Sequence, residues 1–396
     1  MHIIHTSAHV DPDNRRLEAL LEAWPTLVDV AAAVQAPDTD VTVVIPAARD
    51  DRVERDGVHF LSIAARPGGR ARRKLGHWTA PFQPRLEQAI AALRPDVVHF
   101  HSLSFPRHVG RLTRLLPRTP VLVQDHADHA PPPWLRTVYR RGLARAAAVL
   151  FTSAEQAHPF RAAGVLRADT PVLEVPESSS RFTPGDTRMA RAETCLHGDP
   201  CLLWLGHLDD NKDPLCVLAA LRIAAPSLPD PHLWMAWRHG PLLPRVQRRV
   251  SDDDVLRDRV HFLGPQPHGR IETLLRAADF LLQGSHAEGS GYAVIEALAC
   301  GVTPIVTSLP SLRALTEGGT YGGLSPPGDA RAMAASLEYW NACERTARRL
   351  RARAHFERAL SFDVVGARLR DCCARFAASV PPAPHNAARV NPVGSA

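Results

Sequence analysis

Two glutamates enclose a glycine-rich turn in the stretch EGSGYAVIEALACG, residues 288–301. Gly289 and Gly291 carry no Cβ, so the backbone between them can approach a ligand closely. After the second glycine the apolar residues recur with helical spacing, and the first amides of a helix bind anions such as phosphate. Glu288 and Glu296 can accept hydrogen bonds from hydroxyl groups. The stretch therefore indicates a phosphorylated sugar as ligand; the alternative is an ordinary strand-to-helix turn with a surface glutamate at each end.

Lysine usage singles out another residue. Of the 47 basic side chains only Lys74 and Lys212 are lysines. A compact ammonium on a flexible stem meets a phosphate as a point charge. Lys212 is therefore a candidate phosphate ligand. The alternative is that this lysine persists by chance in a chain that otherwise uses arginine.

The elements that must position these residues follow from runs of apolar residues that alternate with helical patterns. The sequence predicts strands at 2–6, 41–45, 97–101, 120–124 and 148–152, then at 201–206, 233–237, 260–263, 279–283 and 304–307. Helices are predicted between several strands, for example at 85–93 and 107–116. Continuous apolar strands separated by helices are typical of parallel sheets covered on both faces. Two such series predict two doubly wound domains.

The break between the two series falls in a segment rich in proline and serine at 175–186. We therefore expect an N-terminal domain over 1–176 and a C-terminal domain over 177–355. A helix over 356–377 is expected to pack back toward the N-terminal domain, followed by a disordered tail over 378–396. Because open parallel sheets bind ligands at the carboxyl ends of their strands, two facing domains would form a cleft.

Taken together, the segments LWLGHLDDNKDP (203–214), VHFLGPQPHGRIETLLRAADFLLQGSHAEGSGYAVIEALACGVTPIVTS (260–308) and LSPPGD (324–329) resemble the retaining, nucleotide-sugar-dependent glycosyltransferases of family four. The resemblance extends over nearly the whole chain. It implies an α/β protein with the GT-B fold, in which two Rossmann-like doubly wound domains face each other across a cleft. It also implies that the C-terminal domain binds the nucleotide sugar and the N-terminal domain binds the acceptor.

The resemblance assigns roles to individual residues. It implies that Glu288 contacts hydroxyls of the transferred sugar and that Glu296 binds the ribose of the nucleotide. His126 matches a histidine that reaches the reacting sugar. The diphosphate and sugar would be held by Lys212, by His207 where the family usually has arginine, and by the amides of Gly289, Ser290, Gly291 and Tyr292.

Two departures from the family pattern concern the acceptor side and the phosphate. Where the family commonly has a glycine pair after the first strand, this chain has SAHVDPDNRRLE, with Asp13 and Asn14 in that region. His101, at the end of another N-terminal strand, is also expected on the acceptor side. The loop after the fifth strand of the C-terminal domain reads TSLPSLRALTEGG, at 307–319, and has no glycine pair before the helix.

The predicted function is sugar transfer from a nucleotide sugar, with retention, to an acceptor that the residues do not identify. No cofactor and no metal ion are expected, and base and sugar stay open. The basic cluster at 65–78 allows peripheral contact with a membrane and a lipid-linked or glycan acceptor; a small-molecule acceptor is equally compatible. The net charge of +6 is spread over both halves, which argues against a nucleic-acid partner. Seven cysteines without a CxxC pair and a chain without a long apolar run predict a cytoplasmic protein.

Two alternatives remain at this point. His207 and the missing glycine pairs are compatible with a non-catalytic protein of the same fold that binds or regulates a partner. The histidines at 99–101 and 125–129 are compatible with a metal-dependent hydrolase, although they lie in one domain and the phosphate features in the other.

Overall fold

The computed structural model describes residues 1–65, 83–127 and 129–379. The basic cluster at 65–78, except for Ala65, lies outside the described residues. The same holds for residues 380–396 of the predicted tail. Within the described ranges, every helix is too short or too polar to span a bilayer.

The N-terminal domain contains an eight-stranded sheet with the order β3-β4-β2-β1-β5-β6-β7-β8. All neighbouring strands are parallel except β3 and β4, which form an antiparallel edge. The strands are β1 (His2–Thr6), β2 (Asp40–Ala47), β3 (Asp51–Arg55), β4 (Val58–Ala64), β5 (Val97–His101), β6 (Val121–Gln124), β7 (Ala148–Phe151) and β8 (Val172–Glu174). The helices are α1 (Leu17–Ala23), α2 (Pro25–Val34), α3 (Pro84–Ala92), α4 (Pro106–Leu115), α5 (Arg136–Leu143) and α6 (His158–Ala162).

The C-terminal domain contains a six-stranded parallel sheet with the order β11-β10-β9-β12-β13-β14. Its strands are β9 (Cys201–Gly206), β10 (His232–Trp237), β11 (Val260–Gly264), β12 (Phe280–Gln283), β13 (Thr303–Thr307) and β14 (Gly323–Ser325). The helices are α7 (Thr187–Thr194), α8 (Pro214–Ala224), α9 (Leu243–Ser251), α10 (Asp254–Arg257), α11 (His268–Ala277), α12 (Tyr292–Ala299), α13 (Pro310–Leu315), α14 (Ala330–Ala342), α15 (Arg345–Ala359) and α16 (Phe362–Ala378). This strand order is that of a dinucleotide-binding fold, in which the order reverses between β9 and β12.

All ten predicted strands are present, and the two predicted doubly wound domains are confirmed. The predictions missed the hairpin of β3 and β4 and the edge strands β8 and β14. The reason is visible in β3, which reads DRVER and is only partly buried. An edge strand that faces solvent needs no continuous apolar run, so the pattern that revealed the central strands was absent.

The predicted domain boundary at residue 355 falls inside α15 (Arg345–Ala359). Phe356 still belongs to α15 and lies in the hydrophobic core of the C-terminal domain. The chain crosses between the domains at 360–361, and α16 then packs against α2. Val365, Leu369 and Cys373 of α16 are buried in the N-terminal core at a spacing of four residues, which places them on one helix face.

Candidate functional site

The loops after β9 and β12 meet where the strand order of the C-terminal sheet reverses. Asn211 joins them: its Nδ2 donates to the carbonyl of Ala287 at 3.1 Å, and its Oδ1 accepts from the Ala287 N–H at 2.9 Å. The Asn211 carbonyl also accepts from the N–H of His286 at 2.8 Å. This clamp holds residue 212 beside residue 288, although the two are far apart in sequence.

Lys212 and Glu288 form an ion pair at the start of α12. The Lys212 ammonium donates to Oε2 of Glu288, and both side chains are largely buried. Oε1 of Glu288 lies 3.4 Å from the N–H of Gly291, the N-cap of α12. A cation and a carboxylate are therefore fixed beside the positive end of a helix dipole, where an anionic ligand would displace the carboxylate from the ammonium.

The two glycines of the loop 288–291, which we call the GSG loop, serve different purposes. Gly291 has φ +64°, a left-handed conformation that begins α12. A Cβ on Gly289 would lie 2.3 Å from the Cβ of Ala127 in the N-terminal domain. We expected both glycines to let a phosphate approach, but at residue 289 the close neighbour is the opposite domain.

A chain of polar contacts runs from the GSG loop into the N-terminal domain. The Ser290 hydroxyl donates to Oε1 of Glu177, which belongs to the interdomain linker. Oε2 of Glu177 lies 2.5 Å from Nδ1 of His126, and Nε2 of His126 lies 2.8 Å from Nδ1 of His101. Gln156 adds a second link, because its Nε2 donates to the carbonyl of Gly289 at 3.2 Å. The domains therefore meet at the GSG loop through specific polar contacts.

A cavity of about 340 Å³ lies beside this chain, between the N-terminal sheet and α12. Its apolar wall comes mainly from Trp24 and from α2, and its polar wall includes His126, Glu177 and His101. Tyr292 reaches into it from the C-terminal domain, and burial raises the pKa of its phenol. The remaining lining residues are Ser7, His9, Trp24, Thr26, Leu27, Val30, Ile45, Ser102 and Phe105.

The assignment of Asp13 and Asn14, in the loop after β1, to the acceptor side stays a prediction. Asp13 and Asn14 are not among the lining residues; Ser7 and His9 of the same loop are. The reason is Asp11, which is buried and accepts hydrogen bonds from the N–H of Arg15 at 2.7 Å and from Nη1 of Arg15 at 2.9 Å. This folds the loop so that Asp13 pairs with Arg15 at the surface, away from the cavity.

Glu296 lies in α12 with its carboxylate hydrogen-bonded to His268, the first residue of α11. Nε2 of His268 lies 2.7 Å from Oε1 of Glu296, and this hydrogen bond raises the pKa of His268. The Glu296 side chain is only 12% exposed, whereas that of His268 is 69% exposed. Nucleotide ribose hydroxyls that bind Glu296 would therefore compete with an exposed histidine.

His207 is exposed at the end of β9, with its ring 6.3 Å from that of His239. Arg238 follows the neighbouring strand β10, and its N–H donates to the carbonyl of Gly206 at 3.3 Å. Its charge acts on His268 and partly opposes the rise in the pKa of that histidine that the hydrogen bond to Glu296 causes. Within the described part of the chain, the Arg238 guanidinium makes no ion pair. The strand ends around Lys212 thus carry a second cation that sequence reasoning did not consider.

Histidines provide the groups best suited to hold a metal ion in the described ranges. His5, His99 and His101 are buried at the ends of β1 and β5, with candidate ligand atoms within 4.8 Å of one another. A second, more exposed group is formed by His197, His232 and His261. His232 begins β10, and His261 lies near the start of β11. Neither group contacts the GSG loop directly.

Similarity to known proteins decides the family. Residues 189–355 match the family described as "Glycosyl transferases group 1", and residues 23–176 match a "Glycosyl transferase 4-like domain". The chain is a GT-B glycosyltransferase of the family-four type. The metal-dependent hydrolase alternative is thereby set aside.

Relatives of this glycosyltransferase include one that aligns over most of its length. A GDP-mannose:cellobiosyl-diphosphopolyprenol alpha-mannosyltransferase from Xanthomonas oryzae is 25% identical over 334 residues, which cover 81% of this chain and 82% of the relative. A D-inositol 3-phosphate glycosyltransferase from Mycobacterium tuberculosis is 33% identical over 147 residues, which cover 36% of this chain and 30% of the relative.

Solved structures share the GT-B fold. A sucrose-phosphate synthase from Thermosynechococcus elongatus superimposes with a TM-score of 0.68 at 18% identity, over 96% of this chain and 100% of its own. The Anabaena protein Alr3699/HepE, solved with UDP and glucose, has a TM-score of 0.62 at 17% identity, over 95% of this chain and 100% of its own.

The site residues that sequence reasoning missed come from segments with no chemical pattern. Glu177 and Gln156 are single polar residues in a linker and a short turn, and Arg238 is one arginine among many. Only the position of Arg238 after a predicted strand could have singled it out. Glu177 could not be found, because its importance depends on which residues of two domains face it.

Proposed function

We propose that this glycosyltransferase moves a hexose from a nucleoside-diphosphate sugar to an acceptor with an apolar portion, with retention of anomeric configuration. The observation that carries the proposal is the arrangement of Lys212 and Glu288 at the start of α12, facing His126 and Glu177 beside a cavity. One side of the cleft offers charge for a diphosphate. The other offers a cavity for an acceptor.

The donor is proposed to bind along the loops after β9 and β12. The first amides of α12 and the Lys212 ammonium would hold the diphosphate, and Glu288 would then be free to accept hydrogen bonds from sugar hydroxyls. Glu296 would accept from the ribose hydroxyls. Arg238 would supply the permanent cation that the family usually has as an arginine at the position of His207.

The proposed chemistry breaks the bond between the anomeric carbon and the diphosphate oxygen. The electron pair leaves with the diphosphate, and positive charge develops on the sugar ring. An acceptor hydroxyl attacks from the same face and passes its proton to a phosphate oxygen, so configuration is retained without an enzyme nucleophile. Fixed donors at the phosphate stabilise the charge that develops there, which is the main contribution expected of the protein.

His126 and Glu177 are proposed to position the reacting sugar and to offset the positive charge that develops on its ring. A carboxylate 2.5 Å from Nδ1 fixes the ring orientation and keeps a proton on that nitrogen. The same Glu177 accepts from Ser290 of the GSG loop. A single linker residue would therefore align both halves of the catalytic cleft.

The acceptor is proposed to bind in the 340 Å³ cavity. Side chains such as Trp24, Leu27 and Phe105 suit an apolar group, while Ser7 and His126 suit a hydroxyl. The Xanthomonas relative acts on a cellobiosyl-diphosphopolyprenol and uses GDP-mannose. Lipid-linked saccharides and GDP-mannose are therefore the first substrates to test.

Thermal unfolding of the purified protein with UDP, GDP, ADP, TDP and their sugar conjugates tests the donor site. A ligand at a hundred times its Kd stabilises the native state by about 2.7 kcal/mol. We expect one nucleotide to raise the Tm of the wild type, and Lys212→Ala and Glu296→Ala to abolish the shift. If no nucleotide binds the wild type, the proposal fails and the non-catalytic alternative takes its place. Product analysis by NMR coupling constants then establishes the anomeric configuration.

A further inference from the structure

Three histidines surround one point in the N-terminal domain where its strand order reverses. His5 of β1 lies beside His99 of β5 in the parallel register, and His101 follows on the same face of β5. Their exposed fractions are 0%, 1% and 9%. Histidine at three adjacent buried positions is unusual, since histidine is fully buried less often than apolar residues are.

The distances between ring nitrogens fit ligands of a common ion. Nδ1 of His5 lies 3.2 Å from Nδ1 of His99. Two imidazole ligands of a tetrahedral zinc ion, each at ~2.0–2.1 Å, are about 3.3 Å apart. Candidate ligand atoms of all three histidines lie within 4.8 Å of one another.

Unpaired nitrogens give a second, independent indication. Nε2 of His5, Nε2 of His99 and Nε2 of His101 are buried and have no hydrogen-bond partner among the described residues. An unpaired polar group in a protein interior costs about 1–3 kcal/mol. A bound ion would remove this cost at His101, whose other nitrogen already contacts His126 at 2.8 Å.

The neighbour of His101 is also of the kind expected around a metal ligand. Nε2 of His126 lies 2.8 Å from Nδ1 of His101 and fixes the orientation of that ring.

We propose that His5, His99 and His101 bind one divalent transition-metal ion of the zinc class. Three imidazoles without a carboxylate select such an ion over Mg²⁺ or Ca²⁺, which need oxygen ligands. His101 lines the 340 Å³ cavity, so the ion enters from the cavity and its fourth coordination position faces that space. The ion joins β1 to β5 and fixes His101 through Nε2, which leaves Nδ1–H to donate to His126. The site is independent of the diphosphate site proposed above.

Metal content of the full-length protein without a histidine tag tests this proposal. The protein is equilibrated with Zn²⁺, passed through a desalting column and analysed by plasma mass spectrometry. We expect one ion per chain in the wild type, and visible absorption bands of tetrahedral Co²⁺ when cobalt replaces zinc. Less than about a tenth of an ion per chain, or octahedral Co²⁺ only, would overturn the proposal, and neither readout needs a variant.

Variants locate the ion. His99→Asn is expected to lose it, whereas His232→Asn, in the exposed cluster of His197, His232 and His261, is expected to retain it. The opposite result would assign the metal to the exposed cluster and reject the buried site. If His99→Asn does not fold, His5→Gln replaces it, with the same expected result. Nucleotide binding is expected to persist without the metal, which separates this proposal from the proposed donor site.

Discussion

Gly289 of the GSG loop lies directly against Ala127 of the N-terminal domain. A Cβ on Gly289 would lie 2.3 Å from the Cβ and 2.4 Å from the Cα of Ala127. Because backbone on one side cannot yield easily, the position of the loop in the C-terminal domain depends on the approach of the other domain. The contact therefore couples the position of the GSG loop to the position of the N-terminal domain.

Gly289→Ala is expected to impair transfer by holding the domains apart. A displacement of about 1 Å in an active site can cost about 100-fold in rate, and we expect a loss of that order in kcat/KM while nucleotide binding persists. Gly269→Ala, in α11 with no atom within 4 Å of the added Cβ, serves as the control and should leave activity unchanged. Steady-state kinetics and small-angle scattering measure the two effects. Unchanged kinetics in Gly289→Ala would contradict this role of the contact.

Lys212→Ala is expected to lower kcat by about 100- to 1,000-fold, the usual effect of removing one fixed donor at a developing anion. The variant leaves Glu288 without its cation, at a site that is largely buried. Arg245→Ala, which removes an exposed cation 4.0 Å from Asp210, is the matched control and should be nearly silent. Initial rates at saturating donor compare the two. Equal losses of kcat in both variants would show that the overall positive charge near the site, and not the ion pair of Lys212 with Glu288, supports catalysis.

Glu177→Gln is expected to lower kcat by about 10- to 100-fold, since hydrogen bonds to charged groups contribute ~1.5–3 kcal/mol. The amide keeps the size of the side chain but removes the charge beside His126. Because Glu177 is proposed to act on the reacting sugar, the donor KM should change little. Glu155→Gln removes the exposed partner of Arg313 at the same domain interface and is the control. A rise in KM with unchanged kcat would assign Glu177 to binding alone.

Nucleotide affinity is expected to rise with pH through the His268 transition. The hydrogen bond to Glu296 raises the pKa of His268, so the pair is intact at low pH, and its contribution to stability is lost as pH rises through that raised value. Above it Glu296 is free for ribose hydroxyls. His268 is exposed, so the gain should be modest, roughly two- to fivefold in Kd. His268→Asn should remove the pH dependence in calorimetric titrations; a dependence that persists would exclude this pair as its source.

Leu27→Trp is expected to fill part of the cavity beside α2 and to raise the acceptor KM by about 10-fold or more, because pockets reject added volume. Donor binding, measured by the thermal shift, should be unaffected. Leu115→Trp, at an exposed position of α4, controls for the added indole. An unchanged acceptor KM would place the acceptor elsewhere.

Within each domain, the order of elements followed from short-range patterns. Apolar runs separated by helical patterns predicted the parallel strands, and the helix that starts after Gly291 was visible from its periodicity. Lys212 and Glu288 could be expected to meet because each follows a parallel strand at the same sheet edge. The structure brings their side chains into contact.

The sequence by itself therefore determined the features that every doubly wound domain shares. These are the buried parallel strands, the helices between them, and the residues that follow the carboxyl ends of the strands. The tertiary structure alone decided the contacts that depend on how two such domains face each other: Gly289 against Ala127, Glu177 between Ser290 and His126, and the cavity beside them. It also turned Asp13 away from the cleft and moved the crossing between domains beyond α15. The physical reason is that periodicity reports burial within one domain, whereas an interface between domains is set by a few polar contacts that have no period.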